Sequence, residues 1–222
     1  MHFKIWWKAL FAISTIGTLL ITSASSRLAV AQEKQPAATN RTPDVIYVPT
    51  PQPVVDKMLE MAEVKKGDVV YDLGCGDGRI VVSAAKKYGV KAVGFDIDPQ
   101  RVKEAKENVK TNKVEHLVTI KQKDIFTLDL REASVVTLYL LPDLNVRLMP
   151  QLAKLKPGSR IVSHDFDMRG AKPVQTHQVS TDGGDDKDGF GGSHTIYKWV
   201  VPWEAESAEP PKKTEAAPAS KP

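Results

Sequence analysis

Val69-Val70-Tyr71-Asp72-Leu73-Gly74-Cys75-Gly76-Asp77-Gly78-Arg79 is the stretch that decides the fold. Val69 to Leu73 has the β-branched, apolar character of a short buried strand. Three glycines at alternate positions follow, and Ile80 to Tyr88 then has helical spacing, closed by Gly89. Glycine lets the backbone turn tightly and approach a ligand with no Cβ between them. The helix that opens next presents free N–H groups suited to a carboxylate. Asp72 at the end of the strand is placed to receive a ligand ammonium.

The same alternation continues on both sides. Thr50-Pro51 reads as an N-cap followed by proline at the first helical position, opening a helix to about Glu63. Ala92–Phe95 predicts a second strand and Pro99–Lys110 an amphipathic helix. Val118–Ile120 and Val135–Leu140 predict strands three and four, Asn145–Leu155 a helix that Pro150 must kink or restart, and Arg160–Phe166 strand five. Strands alternating with helices imply a parallel sheet covered on both faces. Val174–Thr181 and Thr195–Val201 have only a Gly/Asp-rich loop between them, so they predict a hairpin and an antiparallel final strand. An α/β, Rossmann-like sheet, mostly parallel with an antiparallel C-terminal strand, is the shape expected of class I methyltransferases.

Two further carboxylates fall at strand ends, where such sheets bind ligands. Asp96 ends the second strand, 18 residues after Gly78, and is placed to bond both hydroxyls of a ribose. Asp124, after the third strand, can accept from an adenine amine while the Ile125 N–H donates to the ring. Amine, carboxylate, ribose and adenine together are the parts of S-adenosylmethionine. The expected cofactor-binding set is therefore Asp72, Gly74, Gly76, Gly78, Asp96, Asp124 and Ile125. A nicotinamide dinucleotide is the rival ligand, but it calls for G-x-G-x-x-G/A. Here Arg79 stands where the third small residue would be, and Asp72 would face a pyrophosphate.

The chain has 222 residues and a formal net charge of +4. Lys4, Lys8 and Arg27 lie in a first segment of 31 residues without an acid, so the remainder carries only +1. Such a body gives no electrostatic reason to expect a nucleic-acid partner. The one cysteine, Cys75, makes no intramolecular disulfide and no metal cluster. The acidic stretch 182–189 does not fit an EF-hand, and no metal is expected. A basic aromatic start, an apolar run from Ala9 to Ile21 and Ala29-Val30-Ala31 predict a secretory signal over residues 1–31, with a membrane anchor as the alternative. Residues 32–43 read as a linker, 44–203 as the ligand-binding domain, and 204–222 as a disordered tail.

Tyr47-Val48-Pro49-Thr50-Pro51, Val69 to Gly74, Leu138-Tyr139-Leu140-Leu141-Pro142 and Arg160-Ile161-Val162-Ser163-His164-Asp165-Phe166 resemble the lysine methyltransferases of ATP synthase c-subunit and adenine nucleotide translocase, with their bacterial relatives. The resemblance implies methyl transfer to a lysine of a protein substrate, a membrane-embedded protein being one candidate, and a hydrophobic N-terminal segment that targets or holds the enzyme at a membrane. It also implies that Tyr47 and Thr50 fold over the cofactor. Tyr139, His164 and Asp165, at the ends of strands four and five, are the candidate catalytic residues, and Asp143 a candidate to hold a cationic substrate. Strand four lacks the Asn/Asp-Pro-Pro-aromatic motif of enzymes that methylate bases or glutamine amides. An exported adenosine-ligand-binding module without catalysis and a small-molecule methyltransferase are the alternatives. The oligomeric state is not legible.

Overall fold

The computed structural model describes residues 42–181 and 192–206. The predicted signal, most of the linker, the acidic stretch 182–189 and most of the tail lie outside the described residues. Among the described residues no helix is long and apolar enough to cross a membrane.

The element order is α1 (Gln52–Met61), β1 (Val69–Leu73), α2 (Arg79–Tyr88), β2 (Lys91–Asp96), α3 (Pro99–Thr111), β3 (Val118–Gln122), a 3-10 turn (Ile125–Thr127), β4 (Val135–Leu138), α4 (Pro142–Leu152), β5 (Arg160–His164), β6 (Gln175–Thr181) and β7 (Gly192–Val200). The sheet runs β3-β2-β1-β4-β5-β7-β6. Its first five strands are mutually parallel, and β7 lies antiparallel between β5 and β6. The hairpin expected from residues 174–201 therefore forms, with its second strand inserted against β5.

The parallel strands are covered on both faces, as a parallel sheet requires, whereas the edge strand β6 is largely exposed. Val70 packs with Val54, Met58, Val81, Ala105 and Val109 of α1, α2 and α3. Tyr71 and Leu73, with the opposite parity, pack with Leu148 and Leu152 of α4 and with Trp199. This two-residue alternation sets which side chains of β1 face which helix layer. The chain leaves β1 outward through β2 to β3 and then returns to β4 on the other side of β1. The β1/β4 junction is thus the point where strand order reverses and a crevice opens at the carboxyl ends.

Several boundaries differ from the sequence reading. Pro51, not Thr50, is the N-cap of α1, and no side chain caps it. The Thr50 hydroxyl is engaged by His164 Nδ1 at 3.2 Å instead, so a tertiary partner replaces the local one. β4 stops at Leu138, which leaves Tyr139 beyond the strand and half-buried. α4 starts early, with Pro142 at its first position, and runs through Pro150 without a restart. Pro150 lies in the last turn, where its missing N–H costs a single helical bond. β5 ends at His164 because Asp165 takes a left-handed φ of 57°. Residues 204–206 are held to the body: the Lys172 N–H donates to the Glu204 carbonyl, and Ala205 bridges Ala171.

Arg160 joins three elements beneath the sheet. Its Nε donates to the Ala62 carbonyl at 2.9 Å and its Nη2 to Asp68 Oδ2 at 2.5 Å. Both side chains are largely buried, and the guanidinium is among the contacts that hold the Asp68 carboxyl below its ordinary value. Removing one partner of such a pair leaves an uncompensated charge. Arg160→Ala should therefore lower unfolding stability by roughly 3 kcal/mol, read as a shift of the urea midpoint at unchanged slope.

Candidate active site

The glycine turn is built from the backbone outward. Gly74, Gly76 and Gly78 have φ of 84°, 52° and 77°, a region that side-chain-bearing residues avoid. The Gly74 and Cys75 N–H groups both donate to the Phe95 carbonyl, at 2.8 and 2.9 Å. The Gly76 N–H donates to Asp96 Oδ2 at 2.9 Å, and the Asp98 N–H to Asp96 Oδ1 at 2.9 Å. Asp96 thereby ties the turn after β1 to the start of α3 and lines a cleft at the carboxyl ends of the strands.

Asp72, Asp96, Asp124, Ile125 and Gly74 all line this cleft. Asp72 lies within β1 and is almost completely buried. It accepts from Thr137 Oγ1 at 2.7 Å. Burial pushes its carboxyl up to about 7, and the charges of Asp96 and Asp77 add to the rise. Burial likewise raises Asp96. Asp124 caps the 3-10 turn by accepting from the Phe126 N–H at 3.0 Å, which sets the Ile125 backbone at the cleft edge. The donor set fits S-adenosylmethionine: desolvated carboxylates for an ammonium and a ribose, and backbone polar groups beside an apolar wall for a base.

Residues Pro43 to Val48 form the outer wall of the cleft. The Tyr47 ring lies so close over Gly76 that a Cβ there would come within 2.1 Å of it. The Arg101 guanidinium stacks on the same ring, 4.9 Å from its centroid. Arg79 braces the strap, donating from Nη1 to the Thr50 carbonyl at 2.9 Å while Asp77 holds its Nε and Nη2. Tyr47 and Thr50 therefore both line the cleft.

Tyr139, Leu140 and Leu144 also line the cleft, with Leu140 close against Gly74. Tyr139 stacks on His164, ring centroids 3.9 Å apart, and burial, then the Asp165 charge, raises its hydroxyl. His164 is fully buried behind Tyr139 and Thr50, and burial lowers its imidazole to about 4. It does not line the cleft, and neither does Asp165. Asp143 is displaced from the expected place. Pro142 opens α4, Asp143 falls in its first turn, and its exposed carboxylate pairs with Arg169.

Two polar residues escaped the sequence reading. Asn145 is fully buried, and its Nδ2 donates to the Phe166 and Asp167 carbonyls at 3.2 and 3.0 Å, fixing the chain after β5. His194, on β7, stands 2.9 Å by Nδ1 from His164 Nε2. Hairpin register alone brings His194 there, across 30 residues of chain, so no local spacing announces it.

A carboxyl raised by burial has a definite pH signature. The ordinary Asp value is 3.8 and that of Asp72 is about 7. The ligand-free domain should thus lose stability as pH rises from about 4 through 7. Asp72→Asn should raise the thermal midpoint of the ligand-free protein at pH 8 and leave it nearly unchanged at pH 4. Calorimetry at the two pH values checks this.

The family description "ANTKMT methyltransferase domain" matches residues 72–175. A protein-lysine N-methyltransferase of Saccharolobus islandicus is 47% identical over 161 residues, 72% of this chain and 95% of that protein. A ribosomal protein L11 methyltransferase of Alkaliphilus oremlandii is 30% identical over 132 residues, spanning only 42% of its own length. The crystal structure of an RNA methyltransferase from Salinibacter ruber in complex with S-adenosylhomocysteine superimposes with a TM-score of 0.63 at 48% identity, covering 72% of this chain and 97% of that one. With a relative this similar matched along nearly its whole length, and with the sheet order and glycine turn described above, the chain belongs to the ANTKMT-type family of class I methyltransferases.

Proposed function

We propose that this protein transfers a methyl group from S-adenosylmethionine to the side-chain amine of a protein lysine. The observation that carries this reading is the 47% identity to a protein-lysine N-methyltransferase over 161 residues, which reaches well beyond the glycine turn. The S. ruber relative is named for RNA. The small net charge of this chain outside its first 31 residues favours protein over RNA here, since nucleic-acid binding rests on phosphate neutralisation.

Asp96 would hold the ribose, Asp124 and the Ile125 N–H the adenine, and Asp72 the region of the ammonium, with Gly74 against the methionine part; Gly76 lies under the Tyr47 ring and Gly78 against Ala105, and neither lines the cleft. The cofactor supplies an electrophilic methyl group. The domain's own residues position the acceptor, because an in-line displacement depends mainly on holding the two reactants together. A lysine amine has an ordinary pKa of about 10.4 and reacts only when neutral. An apolar slot beside Leu140 and Leu144 disfavours the ammonium. The Tyr139 hydroxyl stays protonated at neutral pH, and its oxygen is free to accept an amine hydrogen and aim the lone pair. His164 and Asp165 act through Tyr139 and Thr50 as positioning residues.

Labelled donor incubated with fractionated protein and RNA tests the acceptor: methyl-lysine is the expected product, and label confined to RNA or small molecules overturns the reading. The rate should rise about tenfold per pH unit from 7 to 9 as neutral amine accumulates. Asp96→Ala should weaken S-adenosylhomocysteine binding by roughly 1.5–3 kcal/mol, the scale of hydrogen bonds to a charged group. Tyr139→Phe should lower turnover with little change in that affinity.

The basic, apolar and small-residue order of residues 1–31 supports action outside the cytoplasm, on an envelope or membrane protein. Native protein should then begin at Gln32. An intact Met1 on cytosolic protein would reject export.

A further inference from the structure

His164 Nε2, His194 Nδ1 and Asp165 Oδ2 form a closed triangle with edges of 2.9, 3.2 and 3.3 Å. We propose that this triangle is one face of a binding site for a divalent transition cation of the Zn²⁺ class.

Protons alone satisfy the triangle poorly. Protons on both inner nitrogens would set two N–H groups head to head at 2.9 Å. With none, three lone pairs face one another, and a single proton cannot lie on three edges at once. A cation accepts all three lone pairs. Zinc binds imidazole nitrogen at about 2.0–2.1 Å and carboxylate oxygen at about 2.0–2.2 Å. A point about 2.05 Å from each of the three atoms exists above the triangle, and it subtends angles of roughly 90° to 107° between them, close to a tetrahedral face with the fourth position left for water. Two imidazoles and one carboxylate suit zinc, cobalt, nickel or iron rather than magnesium or calcium.

The surroundings of His164 and Asp165 are built in the same sense, while the outer Nε2 of His194 is buried without a partner. Thr50 Oγ1 stands 3.2 Å from His164 Nδ1, so the outer nitrogen has an acceptor for its proton and Nε2 keeps its lone pair for the triangle. Asp165 is fixed from its other oxygen, where Oδ1 accepts from the Thr195 N–H at 2.8 Å. That bond and the left-handed φ of Asp165, 57°, hold the carboxylate back toward β7, a backbone cost that persists only where the surroundings over-determine it. His164 and His194 are both buried. A cation here would lock β5 to β7 directly behind Tyr139 and Thr50, and so stiffen the acceptor side of the cleft.

The test uses the full-length chain freed of metal with a chelator. One equivalent of Co²⁺ should bind with the intense visible bands of a four- or five-coordinate site, and Zn²⁺ should displace it and raise the thermal midpoint. His194→Ala and Asp165→Asn, each confirmed folded by circular dichroism, should lose at least tenfold in Zn²⁺ affinity. In wild-type protein Zn²⁺ should move the ¹⁵N resonances of His164 Nε2 and His194 Nδ1, a readout that needs no variant. Absence of stoichiometric binding by folded wild type overturns the proposal. So do weak six-coordinate Co²⁺ spectra that are unchanged in both variants, or imidazole resonances that stay still.

Discussion

The site depends on two carboxylates taken out of water. Asp72 lies on β1 at the junction where strand order reverses, Asp96 ends the neighbouring β2, and burial raises both. Each is partly satisfied by neutral donors: Thr137 for Asp72, and the Gly76 and Asp98 N–H groups for Asp96. Neutral donors offset part of the desolvation but not the charge. The domain without its cofactor is therefore electrostatically incomplete on the side where an ammonium and two hydroxyls would enter. The glycine turn is the geometric counterpart of that constraint, because only a turn at positive φ lets the Gly76 N–H reach back to Asp96.

Much of this was legible from local pattern. The strand–glycine–helix stretch from Val69 to Tyr88 fixes the parallel sheet, since every signal in it points the same way. The alternation of strand and helix carries the topology, and the short link after residue 174 carries the antiparallel strand. What escaped has a common cause. Thr50 has the composition of a helix cap, yet its hydroxyl meets His164, 114 residues away. Tyr139 reads as strand, yet β4 ends one residue earlier. Asp143 has the charge for a cationic substrate, but opening α4 at Pro142 turns it outward to Arg169. His194 has no local signal, because its place is set by register against β5. Tertiary partners decide these positions, and periodicity carries no information about them.

The two walls of the cleft are held by different physics. On the cofactor side stand the glycine turn of the β1–α2 unit, with its φ values and N–H groups, and the carboxylates Asp72, Asp96 and Asp124, on or just after three successive strands. Behind Tyr139 is a stack of side chains in which Tyr139 rests on His164, and His164 rests on Thr50, Asp165 and His194. Backbone walls tolerate change in the residues around them, whereas a stack transmits any change in its rearmost member to the front.

Among the described residues no imidazole lines the cleft: His164 is kept neutral by burial and lies behind Tyr139 rather than in front of it. Proton loss from a lysine ammonium then falls to solvent before the amine enters the slot. Once the amine is inside, a protonated Tyr139 hydroxyl and a buried, uncharged imidazole offer it no proton readily. An imidazole at that surface would become a cation once it had taken up a proton, and would repel the sulfonium beside it. Keeping the charged groups on the cofactor wall, with neutral groups facing the amine, lets one cleft hold a cation on one side and preserve a free lone pair on the other.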